Sequence, residues 1–215
     1  MLLNRNYHAE QKQNKIYPFV GTEKKRKEEQ VFVAEGHKLV GDLLGHFPCK
    51  LLIATSNWLK MNHSATANEI IEVTQEELSR ASLQKTPQEV LAVFVQPSYD
   101  LNPEVIKSSL CLALDDVQDP GNLGTIIRLA DWFGIEHIFC STGTADVYNP
   151  KTVQATMGAL ARVKVHYCSL PQLIESLTDI PVYGTFLNGN IIYAESLSAH
   201  GLIVMGNEGK GVSLK

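Results

Sequence analysis

Asp119-Pro120-Gly121-Asn122-Leu123-Gly124-Thr125-Ile126-Ile127-Arg128 follows an apolar run, Leu110 to Leu114, that ends in Asp115-Asp116. Read forward, this is a strand, a Pro-Gly turn, and then the apolar spacing of a helix from Asn122 to Phe133. A helix that starts there leaves the amides of Asn122 to Thr125 unpaired, which makes an anion site. Gly121 and Gly124 would let a ligand approach the backbone, and Arg128 stands one turn beyond Gly124 on the four-residue period. Two readings of these residues stay open at this point. One is a tight strand-to-helix connection with an exposed arginine. The other is a dinucleotide site, but that fingerprint needs Gly-x-Gly-x-x-Gly, and two glycines three positions apart do not supply it.

Working outward, strands and helices alternate on the carboxy-terminal side. Strands are expected at Ile135 to Cys140, Val163 to Tyr167, Val182 to Phe186 and Leu202 to Met205, with helices near Thr152 to Ala159 and at Leu170 to Leu177. That order makes an α/β domain with a mostly parallel sheet, which binds ligands at the carboxyl ends of its strands. On the amino-terminal side, strands are expected at Val31 to Gly36, Leu51 to Thr55, Ile70 to Val73 and Val90 to Val95. Helices are expected over His37 to Phe47 and Thr74 to Ala81, the latter opened by Thr74 and Glu77 at capping-box spacing. Gln96 to Pro103 collects Pro97, Ser98, Asp100, Asn102 and Pro103, the composition of a linker. The expected organisation is an atypical segment 1–22, a small α/β domain 23–96, a linker 97–107 and a larger α/β domain 108–215.

The net charge of −4 argues against a nucleic-acid partner only until it is divided. Residues 1–40 hold eight Lys and Arg against five acids, a net +3; the rest holds eleven against eighteen, a net −7. The densest basic tract is Lys24-Lys25-Arg26-Lys27, which charge alone reads as a solvated helix face and which phosphate contact would also explain. Cys49, Cys111, Cys140 and Cys168 are scattered, with no Cys-x-x-Cys pair and no histidine at ligand spacing. Neither a disulfide framework nor a metal is therefore expected, and reduced thiols in a cytoplasm are. No apolar run is long enough to span a bilayer, so no membrane partner is expected.

The stretch Asp119 to Ile135, DPGNLGTIIRLADWFGI, resembles the first signature of the SpoU/TrmH family of RNA ribose methyltransferases over a dozen consecutive positions. Ile203-Val204-Met205-Gly206-Asn207-Glu208-Gly209-Lys210-Gly211 is similar to its second signature, and Thr185-Phe186-Leu187-Asn188-Gly189 to its first cofactor-contacting loop. Asn149-Pro150-Lys151 with Met157-Gly158-Ala159 looks like the stretch between them. The amino-terminal unit is similar to the family's substrate-binding domain in Phe32-Val33-Ala34-Glu35-Gly36 and Thr86-Pro87-Gln88, so the resemblance covers nearly all of residues 23–213.

The resemblance implies a trefoil-knotted parallel α/β domain, an exception to the rule against knots, and a homodimer. It implies transfer of a methyl group from S-adenosylmethionine to a ribose 2′-hydroxyl of rRNA or tRNA. Arg128, Glu208 and Asn122 would be the catalytic residues. Thr185, Leu187, Met205, Gly206 and Gly209 would hold the cofactor, and Lys24, Lys25, Arg26, Lys27 and Arg128 would meet RNA. The sequence departs from the family at both ends. It stops at Lys215, before the third signature that completes the adenosine pocket and the knot, so the cofactor site is expected to lack one wall and the dimer part of its helix pair. Ile16-Tyr17-Pro18-Phe19-Val20-Gly21 stands where the family reads something like Lys-Tyr-Ile-Arg-Ser-Leu, and a one-base shift of frame would restore that pattern. A non-catalytic RNA-binding fragment is the alternative function. A nicotinamide enzyme is a distant third, disfavoured by the missing fingerprint.

Overall fold

The structure is a computed structural model that describes residues 23–213; the atypical segment 1–22 and the proposed frame shift within it lie outside the described residues. The chain divides into two compact units. Residues 23–97 with Tyr148–Ala161 make the first, and Ser98–Val147 with residues 162–213 the second. Besides the change of unit at the expected linker, Tyr148–Ala161 thus groups with the first unit.

In the first unit four strands, β1 (Val31–Glu35), β2 (Cys49–Thr55), β3 (Glu69–Val73) and β4 (Val90–Val95), form a sheet in the order β1-β4-β2-β3. β4 runs antiparallel to both β1 and β2, and β3 runs parallel to β2. The central β4, VLAVFV, is apolar throughout because both of its faces are covered, whereas edge strand β3 alternates, with Ile71 and Val73 in and Ile70 out. One face packs Val31, Val33, Ile53 and Val93 against Leu78 and Ala81. The other carries an aromatic cluster, in which Phe32 stacks on Phe94 at 5.4 Å and on Tyr148 at 5.2 Å between ring centroids. That stacking draws the later segment onto this unit.

Four helices accompany this sheet: α1 (Glu23–Glu28), α2 (His37–Leu43), which ends four residues before the expected Phe47, α3 (Ser56–Met61) and α4 (Gln75–Ala81). The capping box at α4 forms as expected, with the Thr74 hydroxyl accepting from the Glu77 amide and the Glu77 carboxylate accepting from the Thr74 amide. A further short helix, α6 (Pro150–Thr156), is capped by Asn149 and ends at Met157 in the left-handed region.

The second unit has five strands, all in parallel pairings: β5 (Leu110–Leu114), β6 (His137–Cys140), β7 (Lys164–Tyr167), β8 (Val182–Gly184) and β9 (Gly201–Met205), ordered β7-β6-β5-β9-β8. This is the mostly parallel α/β architecture the alternation implied. The chain enters at the centre on β5, builds outward through β6 and β7, then completes the opposite half with β8 and β9. The strand order therefore reverses between β5 and β9, where the crevice at the carboxyl ends of a parallel sheet opens. Helices α5 (Pro120–Trp132) and α7 (Leu170–Ser176) accompany the sheet, and Ile106, Ala113, Phe139, Leu170 and Leu202 share its core.

Candidate active site

The site grows from the ends of β5 and β9. Pairing continues one residue past β5, where the Asp115 amide donates to the Met205 carbonyl at 2.8 Å. Asp116 then turns the chain through a left-handed conformation, φ 58°, a region that aspartate tolerates better than most residues. After Val117 and Gln118, Asp119 caps α5: its carboxylate accepts from the Asn122 amide at 2.8 Å and its carbonyl from the Leu123 amide at 3.0 Å.

That cap corrects two expectations. The helix begins at Pro120 rather than Asn122, because proline at the first helical position lacks only an N–H that would be unpaired anyway. The amides of Asn122 to Thr125 are consequently not open to an anion: Asp119 takes two, and Gly124 and Thr125 lie within the helix. A carboxylate of the chain itself occupies the place where an external anion was expected.

On the β9 side, Met205 leads into a loop tied closely to its own base. Asn207 and Gly211 exchange backbone hydrogen bonds at 3.0 and 2.8 Å, and the Asn207 side-chain oxygen accepts from the amides of Gly209 and Lys210 at 2.9 and 3.2 Å. Its side-chain nitrogen donates to the Asp116 carbonyl at 2.7 Å, which locks the loop to the end of β5. Gly206 must be glycine, because a Cβ there would meet the Gly211 carbonyl and the Val212 amide. The Ser213 amide donates to the buried Asp115 carboxylate at 2.6 Å, closing the loop from behind.

Glu208 accepts a hydrogen bond from the Asn122 side chain at 3.2 Å, so residues 86 positions apart meet across the crevice. Between the two loops lies a cleft of about 570 Å³, lined by Val117, Asp119, Asn122, Ile126 and the turn Gly206 to Gly209. Two carboxylates, Asp119 and Glu208, stand on its lining, while Val117 and Ile126 supply apolar surface. Such a site suits a cation with an apolar body better than it suits a phosphate.

Of the expected site residues, the structure brings Asn122, Glu208, Gly206 and Gly209 into this one cleft. Arg128 is exposed on α5 and is not part of its lining. Met205 ends β9 beside it, and Thr185 is held to β9 by bonds from its amide and hydroxyl to the Val204 carbonyl at 3.0 and 3.2 Å. Leu187 is fully exposed, and neither it nor Thr185 nor Met205 lines the cleft. In the first unit Lys24, Lys25 and Lys27 on α1 form ion pairs with Glu28, Glu29 and Glu23 at 3.9, 2.8 and 2.7 Å, and Arg26 is turned inward. Sequence reasoning missed Asp115, Asp116, Asp119 and Asn207. Only Asp119 carried a signal, an aspartate directly before proline, which marks a helix cap.

Residues 109–215 match the SpoU rRNA Methylase family and residues 20–92 the MRM3-like substrate binding domain. The 23S rRNA (guanosine(2553)-2′-O)-methyltransferase RlmP of Bacillus subtilis is 31% identical over 195 residues, covering 89% of this chain and 77% of the relative. A TrmH-family protein from Porphyromonas gingivalis superimposes with a TM-score of 0.82 at 41% identity, covering 93% of this chain and 81% of the other. An rRNA methyltransferase from Sinorhizobium meliloti, solved with AdoMet bound, gives 0.78 at 30%, covering 93% and 79%. By descent and by fold, this chain belongs to the SpoU rRNA methylase family.

Proposed function

We propose that the chain transfers the methyl group of S-adenosylmethionine to a ribose 2′-hydroxyl of rRNA. The observation that carries this reading is the acidic cleft at the β5–β9 reversal, closed across by the Asn122–Glu208 hydrogen bond. Its volume is in the range of about 300–1,000 Å³ that small ligands occupy. The carboxylates of Asp119 and Glu208 fit a donor that carries a sulfonium and an ammonium, Val117 and Ile126 fit its apolar portions, and the glycine turn allows close backbone approach. When bound, the cofactor supplies an electrophilic methyl group.

The protein's own task is alignment and charge stabilisation, since no covalent intermediate is needed. Glu208 and Asn122 hold the two loops at a fixed separation. A guanidinium offers planar donors and no acceptor, so the role of Arg128 is to place the neighbouring RNA phosphate and to stabilise the alkoxide that develops on the ribose. The proton leaves to phosphate or water. Thr185 and Met205, at the ends of β8 and β9, and the exposed Leu187 lie outside this cleft, and their part in holding the donor rests on the family resemblance alone. Lys24, Lys25 and Lys27 exchange their helix carboxylates for RNA phosphates, a swap that makes this contact dependent on salt.

The protein works as a homodimer in the cytoplasm. The exposed Leu129, Trp132 and Phe133 at the end of α5 support the dimer, Trp132 being 83% and Phe133 73% exposed. The four cysteines are free thiols, and burial pushes Cys140 up to about 12 and Cys49 to about 11, so both stay protonated at neutral pH. Among the described residues no helix is long and apolar enough to cross a membrane, and no group of three or more His, Cys, Asp or Glu could hold a metal. Calorimetric titration with S-adenosylmethionine tests the reading. Saturable binding is expected; no binding alongside retained RNA binding would leave only an RNA-binding fragment.

A further inference from the structure

A second, smaller cleft lies wholly within the first unit, where β1 passes into α2. Its volume is about 170 Å³, and its lining includes Glu35, Gly36, Lys38, Gln88, Gln154 and Met157. That is too small for a cofactor, given the ~300 Å³ at which small-molecule pockets begin, and suits one heterocycle.

Its two carboxamides and its ammonium offer donors. Gln88 Oε1 accepts from the His37 amide at 3.1 Å. A backbone amide can only donate, so the oxygen of that carboxamide is fixed towards it and the NH₂ group is left for a ligand. Gln154 Oε1 accepts from Gln84 Nε2 at 3.0 Å, and the same Gln84 nitrogen donates to the Glu35 carbonyl, which fixes its orientation. Gln154 therefore also offers its NH₂. Lys38 is exposed and adds an ammonium, three donors and no acceptor. The Glu35 carboxylate, also on the lining, is directed to the Ser82 hydroxyl and the Leu83 amide, one bond to each oxygen.

The backbone is shaped to present this set. Gly36 has φ +100°, which a side chain would strain, and a Cβ on it would push the Gln88 carboxamide from its place beside the β1–α2 junction. Met157, also in the left-handed region and half exposed, sets an apolar thioether beside the amides.

We infer that this cleft holds one unstacked guanine of the RNA by its N7/O6 edge, with Met157 against the face of the base. The inference rests on the RNA substrate proposed above. Guanine is the base with two adjacent acceptors and no donor on its major-groove edge. Adenine would turn its amino group towards the glutamine NH₂ groups, donor against donor. Uracil sets N3–H, and cytosine its amino group, beside the acceptor. Single-stranded RNA is read in this way, by hydrogen bonds to exposed base edges with a side chain against the ring. A phosphate would also accept, but two neutral amides and a thioether are poor substitutes for the arginines and backbone amides that hold phosphates.

The test is fluorescence anisotropy on the full chain without methyl donor, using labelled single-stranded oligouridine carrying one central guanine, 7-deazaguanine or adenine. Wild type should bind the guanine probe about tenfold more tightly than the other two, the scale of one bidentate base contact. Gln88→Leu and Gln154→Leu should level the three affinities without lowering the melting temperature, since both side chains are on the surface. Gln154→Glu, which keeps the shape and exchanges a donor for an acceptor, should turn the preference towards adenine. Equal binding of all probes by wild type, discrimination retained by the leucine variants, or a loss equal across probes and matched by Lys38→Gln would overturn the inference. The last of these would mark a phosphate site. A donor titration on the same preparation separates the two proposals. Donor binding without base discrimination sinks this one alone, and discrimination without donor binding sinks the methyltransferase reading alone.

Discussion

Replacing Gly206 with alanine tests the turn that forms one wall of the larger cleft. The added methyl would collide with the Gly211 carbonyl and the Val212 amide, which are backbone and cannot rotate away. The turn must therefore move. In doing so it strains the paired Asn207–Gly211 bonds and the Asn207 bond to the Asp116 carbonyl, each worth roughly 0.5–1.5 kcal/mol net. Overpacking of this kind costs ~1–3 kcal/mol. If ~2 kcal/mol is spent on restoring the turn whenever the donor binds, affinity falls about 30-fold, because each 1.4 kcal/mol is tenfold. The bulk of both cores lies away from this turn, so far-UV circular dichroism should be unchanged and the melting temperature only slightly lower. Calorimetric titration with S-adenosylmethionine reads the effect directly. Donor affinity within twofold of wild type would show that the Gly206 turn does not border the donor.

At the start of α5, Asp119→Ala should lower stability by about 1 kcal/mol through loss of the cap, measured by urea unfolding, while Asp119→Asn keeps the cap and should weaken only donor binding. A loss of stability as large in the asparagine variant would contradict that division of roles. His137 and His166 lie in hydrogen-bond contact at 3.1 Å, and both are shifted below the usual histidine value, first by burial, then in His166 by His137 and in His137 by Lys164. Because the unfolded chain takes up protons more readily, stability should be level above about pH 6.5 and decline as pH falls below it. His166→Phe, which keeps a ring beside Phe139, should flatten the decline in calorimetric melts; an unchanged slope would assign it elsewhere.

The strands were legible because their burial leaves a local trace. Val90 to Val95 is apolar at every position since β4 is covered on both faces, and the Thr74–Glu77 box reports its own helix start. The start of α5 was misplaced by two residues because Asp-Pro-Gly serves equally as a turn and as a cap followed by proline. The grouping of Tyr148–Ala161 with the first unit involves Tyr148 stacking on Phe32, the packing of α6 on β1 and the Gln84–Gln154 hydrogen bond, contacts between distant segments that no local pattern encodes. The same holds in the candidate site. The glycines of the Gly206 turn announce close backbone approach, but the bonds of Asn207 to Asp116 and of Ser213 to Asp115 join segments whose spacing in sequence says nothing of their meeting. Charge counted along the sequence does not show which side chains pair. The lysines of the basic run at Lys24 to Lys27 are paired by Glu23 and Glu28 of the same helix and by Glu29 just beyond it, so the local excess is smaller than the run alone suggests.

The central claim is most directly tested by incubating the protein with unmodified ribosomal RNA and methyl-labelled S-adenosylmethionine, then hydrolysing the RNA in alkali. A methyl group on a ribose 2′-hydroxyl blocks cleavage of the adjoining phosphodiester, so the label should appear in alkali-resistant dinucleotides and vanish with Arg128→Ala. Label recovered in mononucleotides, as base methylation would give, or undiminished in the Arg128 variant, would contradict the account.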